Sequence, residues 1–281
     1  MFFYAVGGIM EINDENYHKH YAFGSGDVHN WLSGYRFFLD GRASGSTRPM
    51  VRGSLAHCLL LEPESFDERY VVCPLKSVNS KAFDKMVEGN PGREVVLEKE
   101  VDEARLWVAP FNNSPALINA EKEKICICDH EGLLLKGKFD AAHDNIIFDF
   151  KTCASIDGFQ YSAAQYGYHI QAYHYKLLYS NVYDIPFEEL KFYFLLSEKS
   201  THHSKIVEFD EQANEVAKEQ HDLAIKNARV VLKSRGLTQE ELLNIKPEAV
   251  AAYDRRKVTT LSLPRGYTFE HYNKMEIDDN E

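Results

Sequence analysis

The sequence predicts an α/β (α+β) chain with a central mixed β-sheet flanked by helices. Two observations carry that expectation. Three consecutive segments in the middle, EKICICDH, GLLLKGKFDAA and NIIFDFKT, are short, apolar and β-branched, and they lie between stretches with helical spacing. Two further strand-like segments, KFYFLLSEK and KIVEFD, follow a helical stretch, so the core order is α, three β, α, two β, α.

Taken in order, residues 11–50 are polar and aromatic, with Gly24, Gly26, Gly34 and Gly41 punctuating short helical pieces. PMVRGSLAHCLLL predicts a helix over 49–61, closed by Pro63. Residues 74–94 are rich in Pro, Asn, Ser and Gly and read as a mobile connection around a short helix. VVLEKEVDEARLWVAPF is helical in composition, and SPALINA starts another short helix. His143-Asp144-Asn145 forms the tight turn between the second and third central strands. A single long helix is expected over 156–179. EQANEVAKEQHDLAIKNARVVLKS predicts an amphipathic helix ending near Gly236. After it come TQEELL, a Pro-bounded helix and an acidic end, NKMEIDDNE. The boundaries drawn are an N-terminal helical and irregular segment at 1–48, a core at 49–235 and an acidic extension at 236–281 that is partly disordered or meets a partner.

At 281 residues the chain can bury a substantial core, and its 44% hydrophobic and 27% charged content is that of a soluble globular protein. The net charge of −11 argues against general adhesion to nucleic acid or anionic membrane. A local nucleic-acid site is still allowed, because clustered metal-binding carboxylates add negative charge that bound cations neutralise. Cys58, Cys73, Cys126, Cys128 and Cys153 fit neither a disulfide framework nor a four-cysteine metal pattern, which points to reduced thiols in a cytoplasm. MFFYAVGGIMEIND has no basic lead and is too short to span a bilayer, so it reads as a strand or simply as the start, and no membrane is expected.

The stretch FDAAHDNIIFDFKT holds the chemistry. Asp149 and Lys151 alternate with Phe148 and Phe150 along one strand, and Asp140 ends the strand before it. Pairing about the 143–145 turn brings the three charged groups together. Two carboxylates can hold Mg²⁺, and a lysine beside them can position or help deprotonate water and stabilise charge on a phosphate. An isolated Asp-x-Lys is common as a surface ion pair. Two further pairs strengthen it: Gly53 with His57 one turn apart in an apolar helix, and Gln171 with Tyr175 one turn apart on the helix after Lys151.

G-x-x-x-H (53–57), G-x-x-D (137–140), D-x-K-T (149–152) and Q-x-x-x-Y (171–175), in this order, resemble the RecB-type nuclease branch of the PD-(D/E)xK superfamily. RGSLAHCLLLEPESFDERYVV is similar to the RecE-type exonucleases, and the resemblance spans residues 17–230. Asp149 stands where the superfamily more often has Glu. The resemblance implies a restriction-endonuclease-like core. It also implies Mg²⁺ or Mn²⁺, two ions per site, on His57, Asp140, Asp149 and the Phe150 carbonyl. Asp140, Asp149, Lys151, Gln171 and Tyr175 would be catalytic. Arg52, Thr152, Gln171 and Tyr175 would contact DNA, and Arg42, Arg48, Arg52, Lys76, Lys81 and Lys85 would line a duplex channel. The implied activity is 5′-to-3′ digestion of linear double-stranded DNA, by a homo-oligomeric ring working with a RecT-type single-strand annealing protein. The rivals are a relative acting on single strands or flaps, often with an iron–sulfur cluster that the cysteine spacing here does not supply; a catalytically silent DNA-end-binding module; and a small-molecule phosphoesterase, which needs an enclosed pocket.

Overall fold

In a computed structural model, which describes residues 14–34, 38, 47–243 and 245, Met1–Asn244 form one compact unit. Among the described residues its α-helices are α1 (Asp14–Lys19), α2 (Ser25–Leu32), α3 (Arg48–Leu61), α4 (Phe66–Arg69), α5 (Lys81–Glu88), α6 (Glu98–Val108), α7 (Pro115–Ile118), α8 (Phe159–Tyr166), α9 (Tyr168–Tyr183), α10 (Glu211–Arg235) and α11 (Gln239–Leu243). Strands β1 (Tyr70–Cys73) and β2 (Glu94–Leu97) pair in parallel as a small separate sheet. Strands β3 (Glu121–His130), β4 (Leu133–His143), β5 (Ile146–Cys153), β6 (Lys191–Glu198) and β7 (Ser204–Val207) form the main sheet in that order. Among the strand pairs of the main sheet only β5–β6 is parallel, and α8 and α9 supply its crossover. The central mixed sheet flanked by helices is therefore the one expected from the hydrophobic periods. The N-terminal strand-like segment, the Pro-bounded C-terminal helix and the acidic end lie outside the described residues.

The alternation of β5 sets the layers. Phe148 and Phe150 point to one side, into a core with Leu55, Ala56 and Leu60 of α3 and Val101, Ala104 and Trp107 of α6. Full burial of a side chain such as Leu55 or Phe150 is worth about 1.5–3 kcal/mol. Asp149 and Lys151 point to the other side, toward α9. A buried ion pair ties the α3 side down. Glu100 caps α6 by accepting from Leu97 N–H (2.9 Å) and takes the Arg48 guanidinium, whose Nη1 also donates to the Val95 carbonyl (3.1 Å).

Two elements differ from expectation. Val95-Val96-Leu97 is strand β2 and not the start of the helix. Its β-branched residues are buried beside β1, and helical backbone begins only at Glu98. The helix expected over 156–179 is two helices broken at Gly167, which adopts left-handed backbone (φ 70°) and accommodates the His29 ring where a Cβ would stand 2.5 Å away. Helical composition continues through the break, so hydrophobic spacing alone does not reveal it.

The main sheet is not evenly zipped. β3 and β4 pair from Glu121–Ala142 to His130–Leu133, and β5 and β6 pair along all of β5. Between these halves, β4 and β5 pair only at Ala141–Phe148, Ala142–Ile147 and His143–Ile146. Beyond Ala141 the strands part. Farther along the freed edge of β4, Phe23 forms a parallel bridge, donating to Leu134 C=O and accepting from Lys136 N–H, both at 2.9 Å. Lys136, itself buried, donates its ammonium to the carbonyls of Tyr17 (2.8 Å) and His20 (2.9 Å), which secures the N-terminal segment there.

Helix α9 presses on this opened sheet at Gly137. A Cβ at that position would meet Leu178 Cδ1 at 2.7 Å and the Tyr175 ring at 3.1 Å. Replacing Gly137 with Ala is expected to cost about 1–3 kcal/mol through overpacking and to displace Tyr175; urea denaturation of the variant against the parent protein tests this.

Candidate active site

The functional side chains gather where β4 and β5 separate. Continuing their register would place Asp140 opposite Asp149, but the ladder has already ended. The Asp140 carboxylate fills the gap and accepts from Phe150 N–H through Oδ2 (2.7 Å), replacing the lost backbone partner. Asp140 thereby sits between the two halves of the sheet, within reach of groups from both faces.

From the α3 side comes His57, one turn after Gly53. Its Nδ1 lies 3.2 Å from Asp140 Oδ2, and its ring packs edge-on against Phe150 (5.4 Å between centroids). A Cβ on Gly53 would touch nothing within 4 Å, so the helix face leading to His57 is open. From β3 comes Glu123, which lies opposite Asp140 in the hairpin register because Lys122 pairs with Ala141 and Lys124 with Phe139. Glu123 has left-handed backbone (φ 54°), a conformation that costs a non-glycine residue about 1–3 kcal/mol, and its carboxylate pairs with Lys138. His57, Glu123 and Asp140 each offer a ligand atom, and these atoms all lie within 4.8 Å of one another.

From β5 come Asp149 and Lys151, one residue apart on the α9-facing side, with the ammonium 2.5 Å from Asp149 Oδ2. Asp149 is almost fully buried. Gln171 Nε2 donates to its Oδ1 (3.0 Å), while Oδ2 has the ion pair but no well-directed hydrogen bond. Tyr175, one turn after Gln171 on α9, is hydrogen-bonded to Gln171 and packs on Phe139. Thr152 follows Lys151 on β5 in register with Ser197, half-buried on the opposite face.

The electrostatics follow from burial. Burial pushes the Asp149 carboxyl up to about 6; the neighbouring Asp140 charge adds to the rise, and Lys151 and His57 oppose it. Burial also opposes ionisation of Asp140, but His57, Lys151 and the Phe150 N–H outweigh it and hold that carboxyl below its ordinary value. Lys151 loses by burial and gains more from Asp149 and Asp140, so it remains a cation at neutral pH. Burial raises Glu123 despite Lys138. The site thus has one firmly ionised carboxylate, Asp140, a second, Asp149, whose carboxyl is raised, and a charged lysine paired with the latter.

The structure brings His57, Asp140, Asp149, Lys151, Gln171 and Tyr175 to one place. Asp149, expected among the metal ligands, contacts Lys151 and Gln171, and it is Glu123 that joins His57 and Asp140 within reach of a single ion. Gln171, expected among the catalytic and DNA-contacting residues, holds Asp149. Phe150 meets Asp140 through its N–H. Glu123 was legible only by counting back from the Glu131-Gly132 turn, which sets the register that opposes it to Asp140.

Arg52 is not part of this gathering. Its guanidinium pairs with Glu103 and lies 5.0 Å from the centroid of the Trp107 ring, while Arg48 is engaged by Glu100. Lys76, Lys81 and Lys85 are exposed, and Arg42 lies outside the described residues.

The donor set suits a divalent cation. Two carboxylates and an imidazole within mutual reach, and beside them a buried carboxylate whose Oδ2 meets only the Lys151 ammonium, form an arrangement that a hard cation would neutralise. A cavity of about 680 Å³ lies elsewhere, against the β3–β4 turn, lined by Tyr21, Arg229, Lys233 and Gln239 among others and by none of these site residues.

A proposed exonuclease from Eubacterium rectale, solved by crystallography, superposes with a TM-score of 0.59 at 15% identity, covering 91% of this chain and 97% of that one, which establishes the shared fold. A phage-related exonuclease from Haemophilus somnus 129PT overlaps more loosely, with a TM-score of 0.32 at 14% identity over 76% of this chain and 96% of that one. No curated protein matches in sequence. The family model for the PDDEXK-like domain of unknown function (DUF3799) matches residues 38–235, a span that holds His57, Glu123, Asp140, Asp149, Lys151, Gln171 and Tyr175. The chain belongs to this PDDEXK-like family and carries its nuclease-type fold.

Proposed function

We propose that the protein is a divalent-metal-dependent exodeoxyribonuclease of RecE type, which shortens linear double-stranded DNA from the 5′ end and leaves a 3′ single strand for recombination by strand annealing. The observation that supports it most is a buried Asp149–Lys151 pair set against the His57–Glu123–Asp140 cluster across the parted strands. That juxtaposition provides cation ligands and a fixed positive charge side by side, as phosphodiester hydrolysis requires. Lys76, Lys81 and Lys85, which are exposed, would meet a duplex. A homo-oligomeric ring and a RecT-type annealing partner belong to the same reading. So does the cytoplasm, consistent with five free cysteines and with the absence, among the described residues, of a helix long and apolar enough to cross a membrane.

In this reading His57, Glu123 and Asp140 would hold one cation, and the neighbouring Asp149 would hold a second. Mg²⁺ or Mn²⁺ supplies Lewis-acid polarisation of the phosphate and lowers the pKa of bound water. The chain's own residues do the positioning. Phe150 N–H fixes the Asp140 carboxylate in the gap. Gln171, backed by Tyr175, holds Asp149 by Oδ1. Lys151, being cationic, cannot take a proton from water; it steers the nucleophile and neutralises charge gathering on the phosphate oxygens. Polarity and duplex preference rest on the resemblance to RecE-type enzymes.

End-labelled blunt duplex, single-stranded and flap DNA, each digested with Mg²⁺ or with EDTA, separate this reading from its rivals. Labelled 5′ mononucleotide from blunt duplex is expected. Preference for flaps favours the single-strand relative, and intact DNA bound at its ends favours the silent module. Lys151→Ala and Asp149→Ala are each expected to lower the cleavage rate at least 10³-fold, about 4 kcal/mol in barrier height, with the circular dichroism spectrum of the folded protein retained. Parent-level cleavage by Lys151→Ala removes its assigned role.

Metal binding is expected to depend on pH with a definite sign. Below about 6 Asp149 takes a proton and stops being a ligand, so the rise in Tm produced by Mn²⁺ should shrink as pH falls through that value. At pH 7.5 a concentration 100 times the Kd is expected to stabilise the fold by about 2.7 kcal/mol. Scanning calorimetry from pH 5 to 8 measures this, and Glu123→Ala should diminish the effect throughout.

A further inference from the structure

A short row of aromatic rings leads from the buried lysine to solvent. Tyr168, the first residue of α9, places its ring centroid 5.2 Å from Lys151 Nζ. Its ring stacks on Phe159 (5.7 Å, 21°) and leans on Phe194 (6.0 Å), so its position is set by packing. Tyr166, the last residue of α8, lies next in the row, 5.8 Å from Tyr168 and tilted 37° to it. It is 58% exposed.

Two tyrosines separated by one residue do not face each other on a continuous helix, where side chains two apart diverge by about 200°. They meet here because Gly167 breaks the helix between them. Its left-handed backbone ends α8, its N–H donating to Ala163 C=O, and starts α9, while His29 of α2 occupies the space a Cβ would need. The elbow that brings the rings together is thus braced from a third helix. Packing accounts for the inner ring only, since the outer one leaves most of its surface in water.

We propose that Tyr166 and Tyr168 form a stacking ledge for an unpaired base of the strand whose phosphate reaches Lys151, so that the ligand of this subsite is a single-stranded or frayed nucleic-acid end. This rests on the nuclease reading and adds to it the form in which the strand arrives. A neutral aromatic face beside a cation suits a nucleotide, with phosphate on the ammonium and base on the ring, and stacking of this kind accepts every base. Bases inside a duplex have both faces covered by their neighbours, so the ledge favours an end that has opened. The row is continuous with Lys151, and among the described residues no ring or ionic group of the chain covers the outer face of Tyr166 by any contact found beyond Tyr168.

The test uses the full chain and a single-stranded oligonucleotide with 2-aminopurine at its 5′ terminal position, with Ca²⁺ in place of Mg²⁺ to permit binding without cleavage. Quenching of 2-aminopurine reports stacking. Tyr166→Ala is expected to abolish the quenching and to raise KM for blunt duplex about tenfold, with kcat within about twofold of the parent. Tyr166→Phe, which keeps the ring, should retain both. Tyr161→Ala removes a tyrosine that is 75% exposed on the same helix but about 140° around it, and should change neither readout. Unaltered quenching and KM in Tyr166→Ala overturn the ledge while leaving the nuclease reading intact. A parent protein that neither binds nor cleaves any DNA overturns the nuclease reading, and the ledge with it.

Discussion

The separation of β4 from β5 beyond Ala141 is the constraint on which the rest of this structure depends. A sheet strand that loses a neighbour leaves backbone groups without partners, which is costly where water cannot reach them. Here a side chain fills the vacancy, as Asp140 Oδ2 accepts the Phe150 N–H. The arrangement satisfies the backbone and at the same time inserts a carboxylate into the sheet. Residues on the two faces of the sheet otherwise never meet. Through this gap His57 on the α3 side and Lys151 on the α9 side act on the same carboxylate.

Once Asp140 is so placed, the surrounding charges follow from the expense of burying them. Asp149 is drawn toward neutrality by burial, and the lysine that relieves it is itself withdrawn from water. Glu123 joins them at the cost of an unfavourable backbone conformation and is held by Lys138. A fold assembled for stability alone gains little from such a group, because well-packed apolar side chains of similar volume often serve as well or better. The concentration of strain and buried charge within one short stretch of sheet is therefore what singles this stretch out as the candidate site.

The helices behind the sheet convert this cluster into a fixed geometry. Gln171 reaches Asp149 only because α9 lies close on β4, and it can do so only over Gly137, against which Tyr175 and Leu178 pack. Behind them a pair of buried histidines joins α9 to α10. His174 Nε2 lies 2.9 Å from the Lys136 carbonyl, which it can meet only as a donor. Its Nδ1 then accepts from His221 Nε2 at 3.1 Å. Burial keeps both imidazoles neutral, so the link is a polar lock rather than a charged one. The same helix begins at the Gly167 elbow, and its packing determines both the reach of Gln171 and the direction of Tyr168.

Local sequence determined the three central strands, the helices carrying His57 and Gln171, and the spacing that puts Asp149 and Lys151 on one face of a strand. These are matters of periodicity, and periodicity is written along the chain. It did not show β2, because three apolar residues before a helix look like its first turn, nor the break at Gly167, because the composition on both sides remains helical. Nothing in the neighbourhood of Glu123 marks it; its importance arises from lying opposite Asp140, seventeen residues later, through the register of a hairpin. The engagement of Arg52 by Glu103 and Trp107 is equally a matter of which helices pack together. A linear pattern can state which face a side chain occupies, but which charge it meets across a gap in a sheet depends on where two strands stop pairing, and that is settled by the packing of the whole fold.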